Sequence, residues 1–192
     1  MFKLSTLEFM LNVQVGGGAD ALNEDTPWLS QDQRAAWMAL TAMFFTLPPA
    51  IDDQLKRDAG INFFEYTILA GLSQAPGRTA RMSLLAHLTA GSLSRLSHAI
   101  TRLEKQGWVR RRPGSDHPRA TDVVLTGAGM AKLVASAPDH VREARRLVVD
   151  ALTPTDLAQL QRICRQLVAT ANPEAARLLD EAREQLRQIT NP

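Results

Sequence analysis

Apolar residues return every three or four positions along most of the chain, and the first clear run is SQDQRAAWMALTAMFFTL over 30–47. Ser30 can cap this run, and Asp32 in its first turn suits a helix start. Trp37, Leu40, Met43, Phe44 and Leu47 share one side, so the spacing predicts a helix with that face buried. Pro48-Pro49 ends or kinks it, because proline lacks the N–H donor and crowds the preceding turn. A second helical piece over 50–59 stops at Gly60. The next helix covers 62–74, with Asn62 as its cap and Pro76-Gly77 as its stop. A short helix over 83–88 leads into a tight turn at Thr89-Ala90-Gly91.

The run SLSRLSHAITRLEKQ, 92–106, is the most strongly two-sided. Leu93, Leu96, Ile100 and Leu103 form one stripe, whose burial contributes roughly 6–12 kcal/mol gross, before ordering entropy. Gly107 closes the helix. WVRRR over 108–112 reads as a strand, PGSDHPR as a loop, and ATDVVLT over 120–126 as the returning strand. Residues 128–151 are helical, with a kink threatened at Pro138. Thr153 precedes Pro154 as a cap precedes a first helical position, and that helix runs over 154–171. Asn172-Pro173 breaks it. Ala175, Leu178, Leu179, Ala182 and Leu186 predict one more helix over 174–188. The order is a winged helix–turn–helix inserted between helical segments: mainly α with a small β-hairpin wing, an α+β fold.

The polar side of 92–106 points to chemistry. Ser92, Ser94, Arg95, His98, Thr101, Arg102 and Lys105 stand there with a single acid, Glu104, near the apolar boundary. Surface helices usually mix signs to gain pairs one turn apart. Small hydroxyls keep the first turns slim, arginine binds guanine O6 and N7 with two donors, and the helix N-terminus favours phosphate. These are the requirements of a helix lying in a DNA major groove. In the hairpin, Arg110, Arg111 and Arg112 cannot all face a core, since strand side chains alternate. Arg111 and Arg112 join the predicted DNA contacts, with Asp116, His117 and Arg119 on the loop. An arginine on such a loop can enter a narrow minor groove.

Charge distribution agrees. The chain carries a net charge of only +2, yet residues 78–119 hold nine Arg or Lys against two acids, a net of +7. One basic block inside an acidic remainder suits a polyanion. Aromatics make up only 5%, so the core must be mostly Leu, Ala, Val and Met. The one cysteine, Cys164, excludes an internal disulfide and a cysteine zinc site. It lies on an apolar stripe with Leu160, Leu167 and Val168 and is expected in the core. Residues 1–27 read as an arm or a disordered leader: the opening lacks a signal-peptide pattern and is too short and polar to span a membrane. Ser94 and His98 lie one turn apart, but no acidic orienter or oxyanion site accompanies them. No catalytic centre, metal site or cofactor is predicted.

The stretch SRLSHAITRLEKQGWVRRR, the D-H-P-R wing and the closing VVLTGAG resemble the multiple-antibiotic-resistance regulator (MarR) family. The match covers about 30–172 and is most specific over 82–129. The resemblance implies a cytoplasmic, nucleoid-associated homodimer and repressor. It implies a winged helix–turn–helix lobe over 61–126 and a helical dimerisation region over 28–60 and 127–192. It also implies a small aromatic or phenolic effector held between lobe and dimer domain, for which Trp37, Phe45, Tyr66 and His140 are candidates. Arg119 becomes the wing arginine. The family's wing acid commonly lies two residues before that arginine; here His117 does, and Asp116 is one earlier. The cysteine of the family's peroxide sensors is absent, as is a zinc cluster. An architectural double-stranded DNA binder without an effector is the alternative reading.

Overall fold

The structure, a computed structural model, describes residues 27–89, 92–114 and 120–190. The chain divides into two compact units, Met1–Ala50 and Ile51–Pro192. Helix α1 (Gln31–Ala59) opens in the first unit. Its start is capped as expected: Ser30 Oγ accepts from the Gln33 N–H at 3.3 Å, and the Ser30 N–H donates to Gln33 Oε1 at 2.9 Å. The helix does not end at Pro48-Pro49 but continues to Ala59. Each proline ring holds a φ that a helix also uses, so the helix continues despite two missing donors and the crowding of the preceding turn. Nor is the Trp37 face buried: Trp37 is 52% and Phe44 59% exposed. Nothing within 31–50 packs over that stripe.

The second unit contains the core. Helix α2 (Phe63–Gln74) begins with a capping box: the Glu65 N–H donates to Asn62 Oδ1, and Glu65 returns by accepting from the Asn62 N–H. A 3₁₀ turn at Pro76–Arg78 leads into β1 (Thr79–Arg81), then α3 (Met82–Leu88) and α4 (Leu93–Lys105). Strands β2 (Val109–Pro113) and β3 (Thr121–Leu125) make the hairpin. The sheet has three antiparallel strands in the order β1-β3-β2, with Arg111 opposite Val123 and Ala80 opposite Val123 on the other side. The third strand, β1, lies outside the expected hairpin. Three residues are too few to show alternation.

Leu69 and Leu72 of α2, Leu96, Ile100 and Leu103 of α4, and Val123 of β3 are fully or almost fully buried in one aliphatic cluster. Leu93 is a correction to the predicted stripe: it is 59% exposed, and Ala99 takes its place. Leu93 is the first helical residue and lies outside the buried cluster.

Two glycines set how the wing leaves α4. Gly107 adopts φ +73°, a left-handed conformation that lets the chain reverse directly into β2. Gly129, in the first turn of α5 (Gly127–Ala144), lies beneath the wing: a Cβ there would stand 2.1 Å from the Trp108 carbonyl oxygen. Thr126 completes the joint. Its hydroxyl donates to the Gly107 carbonyl at 2.7 Å and accepts from the Gly129 N–H at 3.0 Å. This is the physical content of the T-G-A-G motif.

Helix α5 includes Pro138 and passes into one π turn, Arg145–Val149. Thr153 then caps α6 (Pro154–Ala171) in a second capping box, closed by Asp156. Asn172 separates α6 from α7 (Pro173–Thr190), and Arg165 Nε donates to Asp180 Oδ1 across the pair at 2.7 Å. Helix α6 has no buried residue. Leu160, Ile163 and Leu167 are exposed, and so is Cys164, which corrects its expected place in the core. The apolar stripe is real, but nothing among the described residues covers it.

Candidate nucleic-acid interface

Helix α4 begins at Ser92, whose Oγ accepts from the Arg95 N–H at 3.2 Å. As an acceptor there, the serine keeps its own O–H for donation. Leu96, Ala99, Ile100 and Leu103 fix one side of α4 in the core. The opposite side, Ser94, Arg95, His98, Thr101, Arg102 and Lys105, faces outward and is exposed.

The arginines of this face are not loose. The Arg95 guanidinium lies over the Phe64 ring, 4.3 Å from its centroid, a stacked cation–π geometry. Arg102 Nε donates to Glu65 Oε1 at 2.7 Å, while the Arg102 side chain remains 55% exposed. The outward face of α4 carries no acid of its own, but the fold brings Glu65 to it from 37 residues away. Lys105 and His98 have no ion-pair or hydrogen-bond partner among the described residues.

The three hairpin arginines alternate as a strand requires. Val109 is buried, Arg110 and Arg112 are exposed, and Arg111 is half-buried on the core side. Arg111 reaches back to α4: Nη1 donates to Glu104 Oε2 at 2.5 Å, and Nη2 donates to the Ser97 carbonyl and Thr101 Oγ, each at 3.0 Å. The Arg111 N–H also donates to Glu104 Oε1 at 2.7 Å. That backbone hydrogen bond, with the guanidinium, holds the Glu104 carboxyl below its ordinary range against a smaller opposing effect of burial. Arg111 therefore ties the wing to α4. Arg112 Nε lies 3.5 Å from Asp122 Oδ2, a buried carboxylate on β3. The Gly114 N–H donates to the Ala120 carbonyl at 2.8 Å and closes the neck of the loop. Asp116, His117 and Arg119 lie outside the described residues.

Of the aromatic candidates, Trp37 and Phe45 stand exposed on the first unit's part of α1. Tyr66 and His140 meet in the second unit, ring centroids 4.4 Å apart. His140 Nδ1 is buried and has no hydrogen-bond partner among the described residues. Burial lowers the His140 pKa and raises that of Tyr66. A cleft of about 550 Å³ behind α4, bordered by Lys56, Asn62, Glu65, Arg102, Lys105 and Trp108, has no counterpart in the sequence pattern. Among the described residues no three His, Cys, Asp or Glu side chains are grouped to hold a metal ion, and no helix is long and apolar enough to cross a membrane.

No protein-family model matches the chain, and no curated protein does. Solved structures do. Sco3205 from Streptomyces coelicolor, a MarR-family transcriptional regulator determined in complex with DNA, is 36% identical over 79% of this chain and 94% of its own, with a TM-score of 0.74. AbsC, a MarR-family regulator from the same organism, is 34% identical over 81% of this chain and 99% of its own, with a TM-score of 0.67. A mutant Escherichia coli MarR complexed with operator DNA shares the fold at 19% identity and a TM-score of 0.60, over 69% of this chain and 96% of its own. With its outward basic helix, its short wing and this degree of identity over nearly the full length of both Streptomyces proteins, the chain belongs to the MarR family of transcriptional regulators.

Proposed function

We propose that this protein represses transcription as a cytoplasmic, nucleoid-associated homodimer bound to a pseudo-palindromic operator, and that a small aromatic or phenolic ligand releases it. The observation that carries this reading is the exposed face of α4, with Ser94, Arg95, His98, Arg102 and Lys105 outward and an aliphatic core behind. Ser92 and Ser94 donate near the first turn, Arg95 and Arg102 read base edges, and Lys105 and Arg112 meet phosphate. Asp116, His117 and Arg119 carry the wing to the minor groove. Arg111 serves by holding the wing.

The lobe is assigned to 61–126, the arm to 1–27, and dimerisation to 28–60 with 127–192. Support for the dimer comes from the uncovered apolar stripe of α6. An equivalent stripe on a second copy is the natural cover in a closed two-fold assembly. Support for an effector comes from His140, whose buried Nδ1 lacks a partner among the described residues beside the Tyr66 ring. A phenolic hydroxyl would supply that partner; Trp37 and Phe45 remain the other aromatic candidates. A ligand that favours lobes spaced wrongly for DNA weakens DNA binding by linkage.

Selection of bound sequences from random duplexes, with and without aromatic carboxylates and phenols, tests the reading. The expected product is a two-fold motif with half-sites about one helical turn apart, and its yield falls when an active ligand is present. Shallow sequence preference that no ligand changes would identify an architectural DNA binder instead.

A further inference from the structure

Four consecutive residues open α2, and each meets a different neighbour. The Phe63 N–H donates to Asp52 Oδ1 of α1 at 2.7 Å, the Phe64 ring underlies Arg95, and Tyr66 meets His140. Glu65, between them, is a charged residue only 7% exposed. Its Oε2 accepts from the Asn62 N–H at 3.0 Å, and its Oε1 accepts from Arg102 Nε at 2.7 Å. The carboxylate is thus anchored at one oxygen by the α2 cap and grips α4 with the other.

Two simpler roles do not account for this placement. Capping alone is served equally by glutamine at the same position. Stability alone is poorly served, because burying a carboxylate costs desolvation and a half-exposed arginine returns little of it. What the pair does achieve is orientation. The guanidinium is planar, and Glu65 takes its Nε edge. Nη1 and Nη2 have no hydrogen-bond partner among the described residues. Those two nitrogens are the pair that meets guanine O6 and N7.

We infer that Glu65 is a specificity-determining positioning residue, which holds the Arg102 guanidinium by Nε so that its two terminal nitrogens are presented as a fixed fork to a base edge. The inference rests on the reading of α4 as the groove helix. Without Glu65 the side chain must be ordered on each encounter, and its released charge serves phosphate as readily as a base. Binding to the correct site then weakens while binding to random DNA holds or rises.

The test uses the full-length protein, its selected operator and a random duplex at several salt concentrations. Glu65→Gln should keep its melting temperature near that of the parent and lose roughly five-fold in operator-over-random preference, the cost of ordering one long side chain. The loss should fall at the base pair that Arg102→Ala also relaxes. In the Arg102→Ala background, Glu65→Gln should change nothing further. Arg102→Lys leaves the cap whole and should show the same loss with an unchanged salt slope, so it decides the matter even where Glu65→Gln folds poorly. Undiminished preference in Arg102→Lys, or an equal loss from Glu65→Gln with and without Arg102, overturns the inference while leaving α4 in the groove. Parental DNA binding by Arg102→Ala instead removes the underlying reading of α4, and the inference with it.

Discussion

Arg111 on the wing and Glu104 on α4 are joined twice, once through the arginine backbone N–H at 2.7 Å and once through its guanidinium at 2.5 Å. A strand and a helix joined at two points cannot pivot about either one. Glu104→Ala removes both bonds and should lower stability by about 1.5–3 kcal/mol, the usual range for hydrogen bonds to a charged group. The Arg111 amide should also exchange faster with solvent, and urea unfolding with amide exchange reads both effects. The folded carboxyl sits below its ordinary value of 4.5. Its contribution is therefore complete above that value and is lost as pH falls through the depressed one. Unfolding curves of the parent and Glu104→Gln should converge in acid and separate near neutrality.

Local signals in the chain translated directly into structure. Asn62, and Thr153 with Pro154, begin helices where cap chemistry says they should. The period of 92–106 located the buried side of α4, apart from Leu93. The side chains expected inside but found exposed share one cause. Periodicity identifies an apolar face and says nothing of what covers it, so Trp37, Phe44 and Cys164 were expected inside and stand outside. The Glu65–Arg102 pair is illegible for a related reason: the two residues lie far apart along the chain, and no local pattern links a capping acid to an arginine on the exposed face of α4. Arg111 looked like its two neighbours until the strand face was known.

Gly129 is required by contact, not by backbone freedom. A methyl group there meets the Trp108 carbonyl, part of the turn that Thr126 also binds. Backbone on one side and the α5 helix on the other leave little room to yield. Gly129→Ala should destabilise by about 1–3 kcal/mol, as overpacking does, despite alanine's better helix propensity. Thermal unfolding of this variant beside Gly127→Ala, where a Cβ meets nothing within 4 Å, separates contact from propensity. Equal melting temperatures for the two would show that the wing joint tolerates the extra carbon.

His140 is half-buried against Tyr66 and Phe63, and burial lowers its pKa from the ordinary 6.5. The folded protein therefore binds this proton less readily than the unfolded chain. Stability from the neutral ring is complete above 6.5 and declines as pH falls through the lowered folded value. His140→Phe should flatten that part of the stability profile. Melting temperatures measured across pH 7.5 to about 5, parent against variant, isolate this residue from the other histidines. Parallel profiles would mean that the ring is as solvated as a free imidazole.

Ile163 is 45% exposed in the middle of the α6 stripe, with Leu160 and Leu167 beside it. In the proposed two-fold dimer one substitution acts twice, once in each copy. Burying an isoleucine contributes roughly 1.5–3 kcal/mol, so Ile163→Glu should raise the dimer dissociation constant roughly 10²- to 10⁴-fold. Gln161, exposed on the opposite side of the same helix, supplies the comparison. Gln161→Glu adds the same charge and should leave assembly intact. Sedimentation velocity over a concentration series distinguishes the two, and operator binding should fall with the dimer because one lobe reaches only one half-site. Both variants sedimenting as the parent does would move the interface away from α6, and with it the spacing of the two α4 helices that sets which operators fit.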